Sequence, residues 1–65
     1  MKILLNGEQQ EVEAVTIDGL VQSLALPAAM VLIEHNGIAL HRDEWRALAL
    51  GEGDRIEIIR IVAGG

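Results

Sequence analysis

The last ten residues, from Ile56 to Gly65, constrain the fold more than any other segment of the chain. They begin with a run rich in Ile and Val, which fit a pleated and largely buried surface, so they predict a strand in the middle of a sheet. This strand continues into Gly64 and Gly65, which carry no side chain and adopt almost any backbone angle. We therefore expect residues 63–65 to form a thin, flexible tail that fits a narrow cleft.

The α-carboxylate of Gly65 is the candidate reactive group. It is ionised at neutral pH, and it can attack the α-phosphorus of ATP when another protein presents it, with Ala63 and Gly64 as a narrow approach. A Gly-Gly dipeptide also occurs by chance at a frayed chain end. The hypothesis therefore depends on whether the other residues build a platform for the tail.

Length and composition exclude several classes of protein. A chain of 65 residues forms one domain too small for a deep active site, and without cysteine it has no disulfide, thiolate metal site or thiol nucleophile. The net charge of −5 argues against binding to nucleic acid and suits a partner with a basic docking face. No apolar run is long enough to cross a bilayer, so we expect a soluble, cytoplasmic protein that does not bind membranes.

The first half of the chain predicts a hairpin followed by a helix. Asn6-Gly7, a favoured dipeptide for a two-residue turn, separates a strand at residues 2–5 from a charged edge strand at residues 8–13. Thr16 lies where a helix N-cap belongs. An apolar stripe at helical spacing then predicts about two and a half turns of helix, ended by Pro27. The stripe consists of Ile17, Leu20, Val21 and Leu24.

The second half predicts two more strands before the terminal one. A strand at residues 30–35 is closed by a second turn, Asn36-Gly37, and followed by a short strand at residues 38–40. One helical turn then brings Trp45 into the core, with its indole edge near solvent. The glycine-rich loop at residues 51–54 ends this pattern before the last strand.

The order of these elements predicts an α+β roll. The first and last strands are the most apolar, so we expect them to pair in parallel at the centre of the sheet. The predicted fold is a single β-grasp domain over residues 1–65, in which one helix crosses a mixed sheet of four to five strands. The last strand then lies at the centre and carries the tail beyond its end.

Strand alternation predicts an exposed apolar surface on the sheet face opposite the helix. Ile56 and Ile58 face the helix, so the residues between and after them point away from it. We expect this outer face to dock a partner, with charged residues setting the orientation. The predicted docking residues are Leu4, Leu32, Glu57, Ile59, Arg60 and Ile61. A face covered by a loop, or a contact between two copies, is the alternative.

Other candidate sites have less support. His35 and His41 flank a hairpin and could approach each other, but nothing fixes a third ligand, so no metal site is predicted. Ser23 is the only serine and has no histidine at helical spacing, which leaves nucleophilic catalysis unsupported. We therefore expect neither an enzyme nor a bound cofactor.

Several motifs along the chain are shared with a known family: Met1-Lys2-Ile3 with Asn6-Gly7, the helix from Thr16 to Leu24, Leu26-Pro27, Asn36-Gly37, Arg42 with Trp45, Gly53-Asp54 and Gly64-Gly65. Through these motifs the whole sequence resembles the ubiquitin-like β-grasp sulfur carriers, and most closely the ThiS family of thiamine biosynthesis. His41 departs from the family, which commonly has Pro before this Arg. We expect the difference to affect the local turn and not the chemistry.

The resemblance implies a cycle centred on Gly65. A ThiF-like adenylyltransferase would use ATP and magnesium to join AMP to the Gly65 carboxylate. A persulfide sulfur, such as that of a cysteine desulfurase, would then displace AMP and leave a thiocarboxylate. A ThiG-like thiazole synthase would take this sulfur into the thiazole ring of thiamine. The partner must hold ATP and magnesium, because this chain has no glycine-rich phosphate loop with a lysine.

Three alternatives stay open. A ubiquitin-like modifier would share the adenylation but end in an isopeptide bond to a lysine. A molybdopterin-type sulfur carrier would share the thiocarboxylate, although the Arg-x-x-Trp segment and the short chain favour the ThiS family. A β-grasp interaction module would keep its function after deletion of Gly64 and Gly65.

Overall fold

Five strands form one mixed sheet, in the order β2-β1-β5-β3-β4, in a computed structural model that describes residues 1–62. The elements along the chain are β1 (Lys2–Leu5), β2 (Glu8–Glu11), α1 (Ile17–Ser23), a 3-10 turn (Ala28–Met30), β3 (Val31–His35), β4 (Ile38–Leu40), a second 3-10 turn (Arg42–Glu44) and β5 (Arg55–Arg60). The predicted β-grasp roll is confirmed. Within residues 1–62, no helix has the length and apolar character needed to cross a membrane.

The terminal strand β5 lies at the centre of the sheet, as predicted. It runs parallel to β1, with Leu4 opposite Arg55 and Leu5 opposite Ile56. On its other side it runs antiparallel to β3 over five residue pairs. Strand β5 is therefore paired with β3 over more residues than with β1.

Both Asn-Gly turns adopt the predicted left-handed geometry. Asn6 and Gly7 have φ of 50° and 82°, and Asn36 and Gly37 have φ of 51° and 85°, as a two-residue hairpin requires. The side chains of the two asparagines also reach β5. Asn6 Oδ1 accepts the N–H of Ile58 at 2.7 Å, and Asn36 Oδ1 accepts the N–H of Arg55 at 2.8 Å. The turns therefore fix the central strand from both sides.

Helix α1 begins at the predicted cap. Thr16 Oγ1 accepts the N–H of Gly19 at 3.1 Å. Two further N–H groups at the helix start, those of Ile17 and Asp18, donate to the carbonyls of Leu48 and Trp45 at 3.1 Å each. The segment after the second 3-10 turn therefore completes the cap that Thr16 begins.

The helix ends earlier than predicted, and Pro27 does not end it. Ala25 has φ of +56°; its N–H donates to the carbonyl of Gln22 at 3.0 Å, and the N–H of Leu26 donates to the carbonyl of Val21 at 3.4 Å. These two bonds form a Schellman motif, which closes a helix through one left-handed residue. Sequence pattern missed it because that position is usually Gly.

The core lies between α1 and one face of the sheet. Its buried members are Ile3, Ile17, Leu20, Val21, Val31, Ile33, Trp45, Leu50 and Ile56. The prediction that Trp45 keeps its indole edge near solvent was wrong, because Nε1 is buried and has no hydrogen-bond partner within residues 1–62. The bond from Asp18 to the Trp45 carbonyl draws this residue under the helix.

Three strands are shorter than predicted. The edge strand β2 ends at Glu11 and not at residue 13, because β1 pairs with it through four residues only, from Lys2 to Leu5. Met30 belongs to the 3-10 turn, so β3 begins at Val31. The last strand ends at Arg60, and the predicted flexible tail at residues 63–65 lies outside the described residues.

The carboxyl of Asp54 joins the loop before β5 to the turn after β3. Its Oδ2 lies 2.7 Å from His35 Nε2 and accepts the N–H of Gly51 at 2.7 Å, and its Oδ1 accepts the side-chain amide of Asn36 at 3.2 Å. Burial by itself would raise the pKa of this carboxyl. The bonds from His35, Gly51 and Asn36 outweigh burial and hold the pKa below its ordinary value of 3.8.

We predict that the stabilisation supplied by Asp54 disappears in acid. Since its pKa is lower in the folded chain than in the unfolded chain, its contribution is complete above about pH 5 and is lost as the pH falls through the folded-state value. The free energy of unfolding in urea should be compared for the wild-type chain and Asp54→Asn from about pH 6 to about pH 2.5. The difference should shrink toward acid; a constant difference contradicts the assignment.

We predict that Ala25→Gly stabilises the fold. Glycine removes the left-handed strain at this position but also makes the unfolded chain more flexible, so the net gain is about 0.5–1 kcal/mol. Thermal or urea unfolding measures it. The matched control is Ala47→Gly, an exposed alanine without a positive φ, which should lower stability. Equal destabilisation by both changes would rule out strain at Ala25.

Candidate functional site

The central strand brings the chain, as far as Val62, to one corner of the sheet. Pairing with β3 continues to the end of β5, and the N–H of Ile61 donates to the carbonyl of Met30 at 2.7 Å. Val62 follows and is 81% exposed. The predicted reactive residue Gly65, with Ala63 and Gly64, lies outside the described residues. The structure therefore describes the platform up to three residues before Gly65.

The outer face of the sheet carries an apolar cluster next to this corner. Leu32 and Ile59 lie directly opposite each other on β3 and β5 and are 53% and 48% exposed. Ile61 follows on the same face and is 41% exposed. We call Leu32, Ile59 and Ile61 the corner cluster. Large exposed aliphatic side chains grouped in this way are typical of a contact surface.

The other predicted docking residues do not join the corner cluster. Leu4 is on the outer face, but it lies beside Arg55, about 13 Å along β5 from Ile59 at the usual rise per strand residue. Arg60 alternates onto the helix side of the sheet, where it is exposed at the end of the strand. The predicted surface is therefore two separate apolar areas, of which only the corner cluster adjoins Val62, the last described residue.

Charged side chains separate the two apolar areas. Glu57 lies directly opposite Glu34 on the outer face, and Arg55 shares a shallow depression with both carboxylates. Like charges directly opposite in a sheet are destabilising. The two facing carboxylates would complement a positively charged partner surface.

Sequence reasoning missed a groove on the helix side of the molecule. It is lined by Asp18, Ala28, Arg42, Asp43, Trp45 and Arg46. Two arginines and two aspartates give its lining no net formal charge. Its residues are spread over three elements, and no spacing in the sequence would indicate that they meet.

The remaining candidate side chains have structural partners. His35 bonds to Asp54, and Ser23 Oγ donates to the carbonyl of Leu20 at 2.7 Å. His41 begins the second 3-10 turn, and its N–H donates to Glu44 Oε1 at 2.7 Å. Within residues 1–62, no three His, Asp or Glu side chains are placed to share a metal ion.

Comparison with known proteins agrees with this architecture. The sequence matches the ThiS family over residues 3–65. The whole chain also aligns with thiazole synthases from Magnetococcus marinus, at 38% identity over 66 residues, and from Paramagnetospirillum magneticum, at 29% identity over 66 residues. The chain spans 20% of the length of each of these relatives.

Two solved structures of a thiamine biosynthesis protein, ThiS, from Geobacter metallireducens are similar to this one. The crystal structure has a TM-score of 0.86 and 28% identity, with both chains covered completely. The solution NMR structure has a TM-score of 0.83 and 28% identity, and covers 100% of this chain and 88% of the other. The fold thus defines the class of ubiquitin-like β-grasp proteins. Within that class the chain belongs to the ThiS family, whose members are small sulfur carriers.

We predict that Glu57→Gln stabilises the fold by about 0.5 kcal/mol at low salt, because it removes the repulsion with Glu34. The gain should fall in high salt, since salt screens exposed charges. Urea unfolding at two salt concentrations measures both effects. Glu13→Gln, an exposed residue outside the strands, is the control; an equal effect there would mean that overall charge, and not the facing pair, is responsible.

Proposed function

We propose that the protein is a sulfur carrier that supplies sulfur for thiazole formation in thiamine biosynthesis, with Gly65 as the residue that carries it. The observation that supports this most is the match to the ThiS family over residues 3–65, which includes the two final glycines. The described fold agrees, because the central strand leads toward Gly65 from a fixed position in the sheet.

The first step is activation of the Gly65 carboxylate. A carboxylate is a poor acyl donor, because its oxygen is a poor leaving group. A carboxylate oxygen attacks the α-phosphorus of ATP, the bond to the β-phosphate breaks, and pyrophosphate leaves. The product is an acyl adenylate, in which AMP is a good leaving group. An adenylyltransferase partner of the ThiF type would hold ATP and magnesium.

The second step exchanges AMP for sulfur. The terminal sulfur of a persulfide, such as one formed by a cysteine desulfurase, attacks the acyl carbon, and AMP leaves with the bonding electron pair. The resulting acyl disulfide is cleaved by a thiol, which becomes part of a new disulfide and releases the Gly65 thiocarboxylate. This chain has no cysteine, so both the persulfide and the thiol belong to partners.

The thiocarboxylate then donates its sulfur to a thiazole synthase. The basis for this partner is that two proteins named thiazole synthase contain a segment similar to this whole chain. The short tail suits the transfer, because residues 63–65 lack any side chain larger than a methyl group. When an oxygen from the substrate or from water replaces the sulfur on the acyl carbon, the carrier returns to its carboxylate form and can be activated again.

The corner cluster is the proposed contact with the activating partner. Ile59 faces outward a few residues before residue 63, and Leu32 lies directly opposite it on β3. The facing acids Glu34 and Glu57 lie next to this pair on the same face. Apolar contacts would supply affinity, and the acids would favour a basic partner surface. Docking here would leave the tail free to extend into the partner.

Intact-mass spectrometry tests the carrier function directly. The chain would be incubated with ATP, magnesium, a cysteine desulfurase with cysteine, a thiol reductant and the ThiF-like protein encoded in the same genome. We expect a mass gain equal to the replacement of one oxygen by sulfur, located on Gly65 by fragmentation. Gly65-deleted chain is the control and should not change.

Two outcomes would contradict the proposal. A covalent adduct between Gly65 and a lysine of another protein would indicate a modifier. An unchanged mass, together with full activity of the Gly64-Gly65 deletion in a thiamine-requiring strain, would indicate an interaction module whose tail has no role.

We predict that Ile59→Asp weakens binding to the adenylyltransferase by about tenfold or more, because it places an unpaired charge in the corner cluster. Ile38→Asp is the matched control: Ile38 is also a strand isoleucine and is 66% exposed, but it lies on the edge strand β4. Calorimetry measures the affinity, and thermal unfolding checks both variants. Equal weakening by both changes would remove the corner cluster from the interface.

A further inference from the structure

Strand β5 has one free edge just before the tail. Its main-chain groups alternate between its two neighbours: the carbonyl of Arg55 and the N–H of Ile61 bond toward β3, while the carbonyls of Asp54 and Ile56 accept from Leu4 and Asn6 on the β1 side. The main-chain N–H and carbonyl groups of the even-numbered residues of β5 therefore point toward the β1 side. This regular alternation shows where each later group of the strand points.

Strand β1 stops before β5 does. The parallel pairing ends at Leu5 opposite Ile56, and the chain then turns away at Asn6-Gly7. The side chain of Asn6 takes the next N–H, that of Ile58. Beyond it, the main-chain groups that face this side are the Ile58 carbonyl, both groups of Arg60 and the N–H of Val62, and none of these four has a hydrogen-bond partner within residues 1–62.

The free edge has the form that an added strand requires. Its donors and acceptors alternate along an extended strand held rigidly by β3 on the other side. The corner cluster side chains Ile59 and Ile61 stand on one face of it, and offer apolar contact to the side chains of an incoming strand. We propose that an extended segment of the adenylating partner pairs with β5 from Ile58 to Val62, as a sixth strand in line with β1.

This proposal rests on the proposed carrier function, because it names how the partner of that same site would bind. Ordering each residue of a chain segment costs conformational entropy, so a segment that must enter an active site binds with a smaller loss when the residues before it are already extended. If the added strand paired with β5 as far as Val62, it would hold the chain extended up to the position three residues before Gly65.

A second copy of this chain fits the edge less well. Two identical edges paired antiparallel about Arg60 would bring two arginine side chains together, and each chain carries a net charge of −5. A charged residue on a short open edge is a common protection against self-pairing. A partner of different sequence and opposite overall charge meets neither repulsion.

Amide hydrogen exchange by NMR on the complex tests the proposal. The ¹⁵N-labelled chain would be measured alone and with the ThiF-like adenylyltransferase of the same genome. We expect exchange of the Arg60 N–H to slow by about tenfold or more in the complex, because it gains a hydrogen bond. The N–H groups of Ile58 and Ile61 are already bonded and serve as internal references.

A synthetic chain in which an ester oxygen replaces the Arg60 N–H gives a second measurement. Removing one hydrogen bond should weaken binding about fivefold. Arg60→Ala, which keeps the N–H and removes the side chain, should change binding less than twofold if the main chain makes the contact. Equal affinities of the ester and wild-type chains would overturn the proposal.

The outcomes separate this proposal from the carrier function. If the enzyme adenylates Gly65 while the Arg60 N–H exchanges as it does in the free chain, the carrier function holds and the added strand is wrong. If the Arg60 N–H becomes protected with rising chain concentration and no partner, the edge binds a second copy and the proposal is overturned. If the enzyme neither binds nor adenylates the chain, both proposals fail.

Discussion

Strand β5 is held in the sheet by short pairing with β1 on one side and by longer pairing with β3 on the other. Only two residue pairs join it to β1, and the Asn6 side chain extends that contact by one further bond, to Ile58. On the opposite side, pairing with β3 covers the strand to its end. The fully buried residues Ile3 and Ile33 lie on β1 and β3, the two neighbours of β5. The pairing of β5 with both strands therefore also positions these core residues under α1.

The same asymmetry places the candidate site. The long contact with β3 holds the strand by hydrogen bonds as far as Ile61, while the short contact with β1 leaves a free edge beside the last residues of the strand. The corner cluster stands on this rigid end and not around the middle of the sheet. The proposed carrier function would need no catalytic group of this chain beside Gly65. It would need a fixed corner and a surface that a partner can bind.

Much of this fold could be predicted from sequence because its signals are local. The two Asn-Gly turns, the Thr16 cap and the apolar terminal strand each act within a few residues, and the order of elements leaves few ways to form one sheet. The features that could not be predicted depend on distant contacts. The end of α1 uses an alanine where glycine is usual, and the burial of Trp45 follows from its bond to the start of α1. The separation of Leu4 from the corner cluster follows from the short register between β1 and β5.

Strand β5 is hydrogen-bonded to its end on the β3 side and only as far as Ile58 on the β1 side. Native-state hydrogen exchange of the free chain tests it most directly, because each amide of the strand reports one bond. We predict that the N–H groups of Ile58 and Ile61 are protected and that the N–H of Arg60, between them, exchanges rapidly. Equal protection of all three amides would contradict the free edge. Rapid exchange at Ile61 would contradict the rigid platform.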